Sequence, residues 1–254
     1  MNDSRKILAG MSHEIRTYMN SIVSCSYLID DKSCQNSNGS KYGNIIFNTC
    51  TQVLSLVENY LQSAMIDRES PEIKLDKCSP ACIIDDLIPG FQEILDQNRN
   101  KKIKLIIENC ISSSAELFLD NEKISKSIQN FFRNAVNSMD HGYIRVGSII
   151  EKSEVTFYIL DSHQEHSKPR EFLNTNDLDR TLTEYFDAIT AVNTLLSKKL
   201  VSLVGGTIRI VCNELSGTGV YISIPVKFAD RTNTMKKKYV GYPAMWRRLV
   251  SYII

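Results

Sequence analysis

The sequence predicts an α+β protein: an antiparallel helical hairpin, completed as a four-helix bundle by a second copy, followed by a two-layer α/β sandwich. Three observations carry this. Apolar residues recur at three- and four-residue spacing from Ile7 to Tyr27, and again from Ile46 to Ala64, as in two amphipathic helices. The stretch between them, KSCQNSNGSK from Lys32 to Lys41, is a polar turn. Beyond Pro71 the pattern changes to alternating strands and helices.

The first helix is marked by Ile7, Leu8, Met11, Ile15, Met19, Ile22, Val23 and Tyr27. In the second, Ile46, Cys50, Val53, Val57, Tyr60 and Ala64 follow a nearly heptad spacing. Two helices have too few layers to bury such a seam, so a homodimer is expected. The boundary falls at Arg68–Pro71. Strands are expected at Ile73–Lys77 and Lys102–Glu108, flanking a helix that begins near Pro80 and is disturbed at Pro89-Gly90. Asp120–Met139 reads as a helix burying Ile124, Ile128, Phe131, Phe132, Ala135 and Val136. Tyr143–Ile150 and Val155–Leu160 read as paired strands, and Asp161–Asp187 as polar and irregular. Ala188–Val204 is a further helix, and Thr207–Cys212 with Gly219–Val226 a closing hairpin. This places helices on one face of a mixed sheet and divides the chain into residues 1–70, 71–228 and a tail, 229–254.

The composition of the 254 residues, 43% hydrophobic and 23% charged, excludes disordered and fibrous classes. No run approaches the roughly 20 apolar residues of a membrane span, and MNDSRKILAG lacks the core of a signal peptide, so a cytoplasmic protein is expected. The net charge of +1 conceals an asymmetry: the tail has six basic residues against Asp230, leaving residues 1–229 at −4, which argues against nucleic-acid binding. The tail's Tyr239, Tyr242, Trp246, Leu249 and Ile253 among lysines and arginines suit an anionic membrane surface or an unstructured extension. Seven cysteines, an odd number without a C-x-x-C pair, read as reduced core residues.

His13 lies about 200° round the helix from both Met11 and Ile15, hence away from the apolar stripe. Thr17 and Asn20 share its side, and Glu14 adjoins it. A histidine beside a carboxylate suits a nucleophilic imidazole whose neighbour takes its proton, although the same residues also make a solvated helix face. The run Lys6-Ile7-Leu8-Ala9-Gly10-Met11-Ser12-His13-Glu14-Ile15-Arg16-Thr17 resembles the phosphoacceptor box of two-component sensor histidine kinases. The order of segments resembles that family over residues 4–228. Asn130-Phe131-Phe132-Arg133-Asn134-Ala135 is similar to its asparagine box, Leu160-Asp161 to its adenine-binding aspartate, and Ser197–Ile208, with Gly205-Gly206, to the helix and double glycine after its nucleotide lid. The resemblance implies a sandwich of the histidine kinase ATPase type, with ATP held by Asn130, Asn134 and Asp161, and Mg²⁺ by Asn134.

The departures bear on activity. The family's first glycine box is replaced by Ser162-His163-Gln164-Glu165-His166, and the second by Ile189-Thr190-Ala191-Val192-Asn193-Thr194. Glycine suits such places because the backbone must approach phosphate closely. The expected base after the asparagine box is Asn137, and the proline after Arg16-Thr17 is Tyr18, which should straighten the helix. His163 and His166 with Asp161 and Glu165 also read as a metal cluster, but more simply as a polar loop.

The resemblance implies that His13 carries a phosphoryl group, taken from ATP or exchanged with an aspartate on a response-regulator receiver domain. Glu14 would take its proton and Thr17 would align water for hydrolysis. The damaged ATP site opens two alternatives: an ATP-independent histidine phosphotransferase, or a non-catalytic scaffold that binds a kinase or receiver. Related ATP-dependent sandwiches with other activities lack the histidine box. With 12 residues before His13, the input is expected from a separate sensor protein or a longer parent chain.

Overall fold

The computed structural model describes residues 13, 15–26, 28, 39–67, 71–109, 116–151, 153–162, 173–174, 187–213 and 217–226. Glu14, most of the polar turn, His163–His166 and the 229–254 tail lie outside the described residues.

Residues 13, 15–26 and 28 are helical and make up α1, and α2 runs Gly39–Ile66. They are followed by β1 (Asp76–Cys78), α3 (Pro80–Gln97), β2 (Lys102–Asn109), β3 (Leu117–Leu119), α4 (Asn121–Ser138), β4 (His141–Glu151), β5 (Glu154–Asp161), β6 (Leu173–Asn174), α5 (Ala188–Leu203), β7 (Thr207–Asn213) and β8 (Gly217–Pro225). Six strands form a mixed sheet in the order β2-β4-β5-β8-β7-β6; β2 and β4 are parallel and the other neighbours antiparallel. β1 and β3 form a separate antiparallel pair. This is the α+β architecture the sequence predicts.

The core lies between one face of the sheet and helices α3, α4 and α5. Alternate residues Ile144 and Val146, Phe157 and Ile159, and Ile222 and Ile224 point to that side. All six apolar residues expected on α4 are buried there, and Phe91 of α3 stacks on Phe132 of α4 with ring centroids 4.2 Å apart. On the opposite face, the Tyr158 hydroxyl donates to Glu108 Oε2 at 3.1 Å, passing over Gly147, where a Cβ would overlap it. Gly205, at φ +74°, turns the chain out of α5, as the double glycine leads one to expect.

Several elements differ from expectation. α3 continues through Pro89: the proline is exposed, so its missing N–H faces water, while Leu87 and Phe91 anchor the helix on either side. β1 is shorter and later than Ile73–Lys77, because Ile73 and Leu75 are exposed and their alternation marks no buried face. β3 and the two-residue β6 were not anticipated. Cys25 is buried, but Cys50 and Cys78 are half-buried and Cys82 is exposed, so the cysteines are not uniformly core residues.

α2 has three sides where its periodicity suggested one. The expected seam residues Ile46, Cys50, Val53, Val57, Tyr60 and Ala64 are half-buried. Thr49, Leu56, Asn59 and Ser63 are fully buried, and Phe47, Leu54 and Leu61 stand exposed at seven-residue intervals. Leu56 meets Val192 of α5, with Ile15, Tyr60, Ile189 and Leu195 around them. Ile15 of α1 therefore lies beside the later half of α2.

α4 begins on a buried ionic cap. Asp120 accepts the Lys123 N–H at 3.1 Å, the Lys123 ammonium at 2.7 Å and the Lys74 N–H at 3.0 Å; Lys123 Nζ also donates to the Glu72 carbonyl at 2.8 Å. Burial raises the Asp120 pKa, but the hydrogen bonds from Lys123 and Lys74 and the Lys123 charge outweigh it, holding the carboxyl below its ordinary value. A lowered folded-state pKa gives stability that is present above the unfolded value of about 3.9 and lost as pH falls through the folded one. Thermal or urea melts should therefore show wild-type stability declining on acidification below about pH 4, with a shallower decline in Asp120→Asn. Asp120→Ala, which leaves the Lys123 ammonium buried without its partner, should cost roughly 3–5 kcal/mol at neutral pH.

Candidate functional site

His13 is on the exposed side of α1 with Arg16, Thr17 and Asn20. Ile15, two residues on, packs toward α5, so the imidazole of His13 is directed away from that junction. Thr17 Oγ1 donates to the His13 carbonyl at 3.1 Å, and Ser21 and Ser26 repeat this pattern with Thr17 and Ile22. Thr17 thus lies one turn from His13 with oxygen lone pairs still open. No hydrogen bond or ion pair in the described structure joins His13 to Asn130, Asn134 or Asp161.

The two asparagines of the box lie on the side of α4 that meets α5 and α2, where amides are linked in series. Asn59 of α2 donates from Nδ2 to Asn193 Oδ1 at 2.8 Å. Asn193 in turn donates to Asn134 Oδ1 at 2.8 Å, and Asn134 to Thr194 Oγ1 at 3.4 Å. Asn130 donates to Ser197 Oγ at 3.2 Å and lies 3.5 Å from Asn59 Nδ2. Asn59, Asn130, Asn193, Thr194 and Ser197 are all at most 3% exposed. Below this relay, Lys199 Nζ donates to the Ser63 carbonyl at 2.9 Å and to Asp67 at 2.6 Å, fastening the last turn of α2 to α5.

Asp161 is the last residue of β5, 7% exposed, and its Oδ1 accepts the Thr218 N–H of β8 at 3.1 Å. Ser162 closes the same sheet end: its N–H donates to the Tyr143 carbonyl, and its Oγ accepts the Tyr143 N–H at 2.9 Å. The structure therefore brings Asn130 and Asn134 into one cluster and fixes Asp161 in the sheet.

The described residues do not fit a Mg·nucleotide in this conformation. The Asn134 carbonyl, the oxygen a hard cation would take, accepts a buried amide proton instead. Residues 189–194 form the first turns of α5, where Asn193 and Thr194 fill the space beside α4. The start of that helix is no phosphate cradle: the Asp187 carboxylate accepts the Thr190 N–H at 2.8 Å and its hydroxyl at 2.9 Å, setting a negative charge where an anion would bind. At the far end of α4, Lys101 donates to the Val136 and Asn137 carbonyls at 2.8 and 3.1 Å. On α4's flank, burial lowers the pKa of both Lys126 and Arg133; the Arg133 charge lowers Lys126 further, and Glu58 and Glu93 oppose these shifts. Among the described residues no cluster of three or more His, Cys, Asp or Glu could hold a metal.

Sequence reasoning found Asn130, Asn134 and the altered box but missed Asn59 and Ser197. The available signal was an asparagine inside the apolar pattern of α2, between Val57 and Tyr60, where a buried polar group needs a partner.

No protein-family model matches the chain. The autoinducer 2 sensor kinase/phosphatase LuxQ of Vibrio parahaemolyticus is 24% identical over 236 residues, covering 88% of this chain and 27% of that protein. The chain spans about a quarter of the length of the LuxQ relatives it matches. Among solved structures, the histidine kinase AdeS of Acinetobacter baumannii superposes with a TM-score of 0.62 at 17% identity, covering 85% of this chain and 98% of that one. The histidine kinase ThkA in complex with the response regulator TrrA gives 0.62 at 18% identity, over 87% of this chain and 61% of that one. Full-length ShkA with AMPPNP gives 0.58 at 16%, over 87% and 46%. In sequence the chain is similar to sensor kinases, and in fold to solved histidine kinases.

Proposed function

We propose that this protein is a phosphorelay component in which His13 exchanges a phosphoryl group with an aspartate of a response-regulator receiver domain, without drawing it from ATP. The observation that carries this reading is the pairing of an accessible His13, directed away from α5, with asparagine-box amides already committed to Asn193 and Thr194. The likeness to ThkA, solved with its regulator, supports a receiver as the partner. Residues 1–70 serve as the phosphoacceptor and dimerisation hairpin and 71–228 as a degenerate ATP-binding domain, followed by the basic, aromatic 229–254 tail. No described helix is long and apolar enough to cross a membrane, and the reading places the protein in the cytoplasm with its receiver.

The lone pair of a neutral imidazole nitrogen of His13 attacks phosphorus of the receiver's aspartyl phosphate. The P–O bond to the aspartate breaks, the carboxylate leaves, and a P–N bond forms. The proton on the other ring nitrogen passes to Glu14 or water, leaving the imidazole ring of the phosphoramidate neutral and the charge on the phosphoryl oxygens. In the reverse direction the receiver's carboxylate attacks and the imidazole leaves. Thr17, one turn along the same exposed side, aligns water for hydrolysis. The unit acts as a homodimer: Phe47, Leu54 and Leu61, 54–67% exposed, with Met19 and Val23 of α1, leave an apolar surface at heptad spacing for a second copy.

A receiver charged with labelled phosphate should transfer it to the wild-type protein as an acid-labile, base-stable phosphoramidate, and not to His13→Ala. Labelled ATP should give no such product. Absence of label from the receiver would leave a scaffold, and label from ATP would restore the kinase. In sedimentation, Leu54→Glu with Leu61→Glu should weaken dimerisation at least roughly 100-fold, since each change sets a charge into an apolar contact.

A further inference from the structure

We propose that the open edge of β2 is a self-association surface on which a second copy of this chain lays its own β2, antiparallel and centred on Leu105, so that the six-stranded sheets of the two molecules become continuous. This surface belongs to the sandwich and is separate from the apolar side of the hairpin. It is independent of the role proposed for His13.

β2 is the outermost strand of its sheet, and among the described residues no strand lies on its other side. Pairing with β4 uses only alternate residues. The Lys102 N–H donates to the Asp140 carbonyl at 2.7 Å, which fixes the parity: Lys102, Lys104, Ile106 and Glu108 turn their N–H and C=O toward β4, as a parallel ladder requires. The Ser162 N–H on the Tyr143 carbonyl agrees from the far side of β4, where odd-numbered residues face β5. Ile103, Leu105 and Ile107 therefore point their N–H and C=O away from the sheet, along a strand eight residues long. Such an open row of donors and acceptors is a template for another strand. The side chains of the same three residues lie on the core side and are only half-buried there, so a strand laid beside them extends the apolar layer as well as the ladder.

The sequence of β2 itself selects the occupant. A two-fold interface sets a segment against its own reverse, so it needs a self-complementary pattern. Centred on Leu105, the antiparallel pairing sets Ile103 opposite Ile107 of the second copy and Leu105 opposite its own equivalent, all on the core side. These are the residues whose edge groups are open, so each both donates and accepts. On the other face Lys102 stands opposite Glu108 at both ends of the interface, and Lys104 opposite Ile106. Lys102 is exposed, and Glu108, though held by Arg145 Nη1 at 3.3 Å and the Tyr158 hydroxyl at 3.1 Å, keeps a lone pair on each oxygen for an ammonium. Lysines on an edge strand ordinarily repel a like edge. Here they select the register. Centring on Lys104 sets that lysine against itself, and centring on Ile106 sets Asn109 against Ile103. The Leu105-centred pairing is the one with an all-apolar core side and an acid opposite a base at each end.

The test is backbone amide hydrogen exchange of the full chain, resolved by residue in nitrogen-15 spectra, at increasing protein concentration. The Ile103, Leu105 and Ile107 N–H groups should become protected as concentration rises, while those of Lys104 and Ile106, already bonded to β4, stay protected throughout. Lys102→Glu, at an exposed position, should raise the concentration needed for that protection by roughly tenfold or more, since it sets like charges opposite each other at both ends. Lys104→Glu, facing Ile106, should raise it by less than about threefold. Three results would overturn the proposal: no protection of the odd-numbered amides at any concentration, protection that is independent of concentration because another part of the same chain covers the edge, or a larger effect from Lys104→Glu than from Lys102→Glu. The alternation along β2 is read whether or not copies associate through the hairpin or a receiver labels His13, so the two readings fail separately.

Discussion

A buried amide must find a partner, and the arrangement of this molecule around α2, α4 and α5 follows from how four asparagines do so. Asn130, buried, and Asn134, half-buried, face the junction of the three helices, where unpaired polar groups are expensive. In a chain with a glycine-rich loop beside them, a bound ligand could satisfy these groups. Here α5 begins early, capped by Asp187, and presents Asn193, Thr194 and Ser197 as internal substitutes. The first turns of α5 thus supply, from their own side chains, the hydrogen bonds that the asparagines of α4 need.

That network reaches the hairpin because Asn59 enters it. α2 divides its circumference among three environments: one side on α5, one half-buried, and one bare at Phe47, Leu54 and Leu61. The division separates two tasks. The α5-facing side fixes the hairpin against the sandwich through Leu56, Asn59 and Ser63, while the bare side is left uncovered. His13 is exposed and points away from α5 and the amide cluster.

The sequence was most informative where one face of an element is apolar and the other is not. α4, β4 with β5, α5, and β7 with β8 could all be placed from periodicity, because their buried positions repeat at helical or strand spacing. α2 was harder, since residues on three sides of one helix include apolar ones and a heptad count picks out a single stripe. The course of α3 through Pro89 depended on which way the proline faced, a tertiary fact. β3 is three residues long and gives no period to detect. At the candidate site, His13, Asn130, Asn134 and Asp161 were legible as motif positions. Their partners were not, because the bonds from Asn59 to Asn193 and from Asn193 to Asn134 join residues 134 and 59 positions apart.

The claim that the box amides are held by the protein itself is tested most directly by solvent exchange of asparagine side-chain NH₂ protons, in nitrogen-15 spectra of the asparagine-labelled full chain. Asn137, exposed on the same helix, is an internal reference. The account predicts that Asn59, Asn193 and Asn134 exchange far more slowly than Asn137, and that Asn193→Ala speeds the exchange of both Asn59 and Asn134. Exchange of Asn134 at the Asn137 rate in the wild-type protein would show its amide open to solvent and contradict the account.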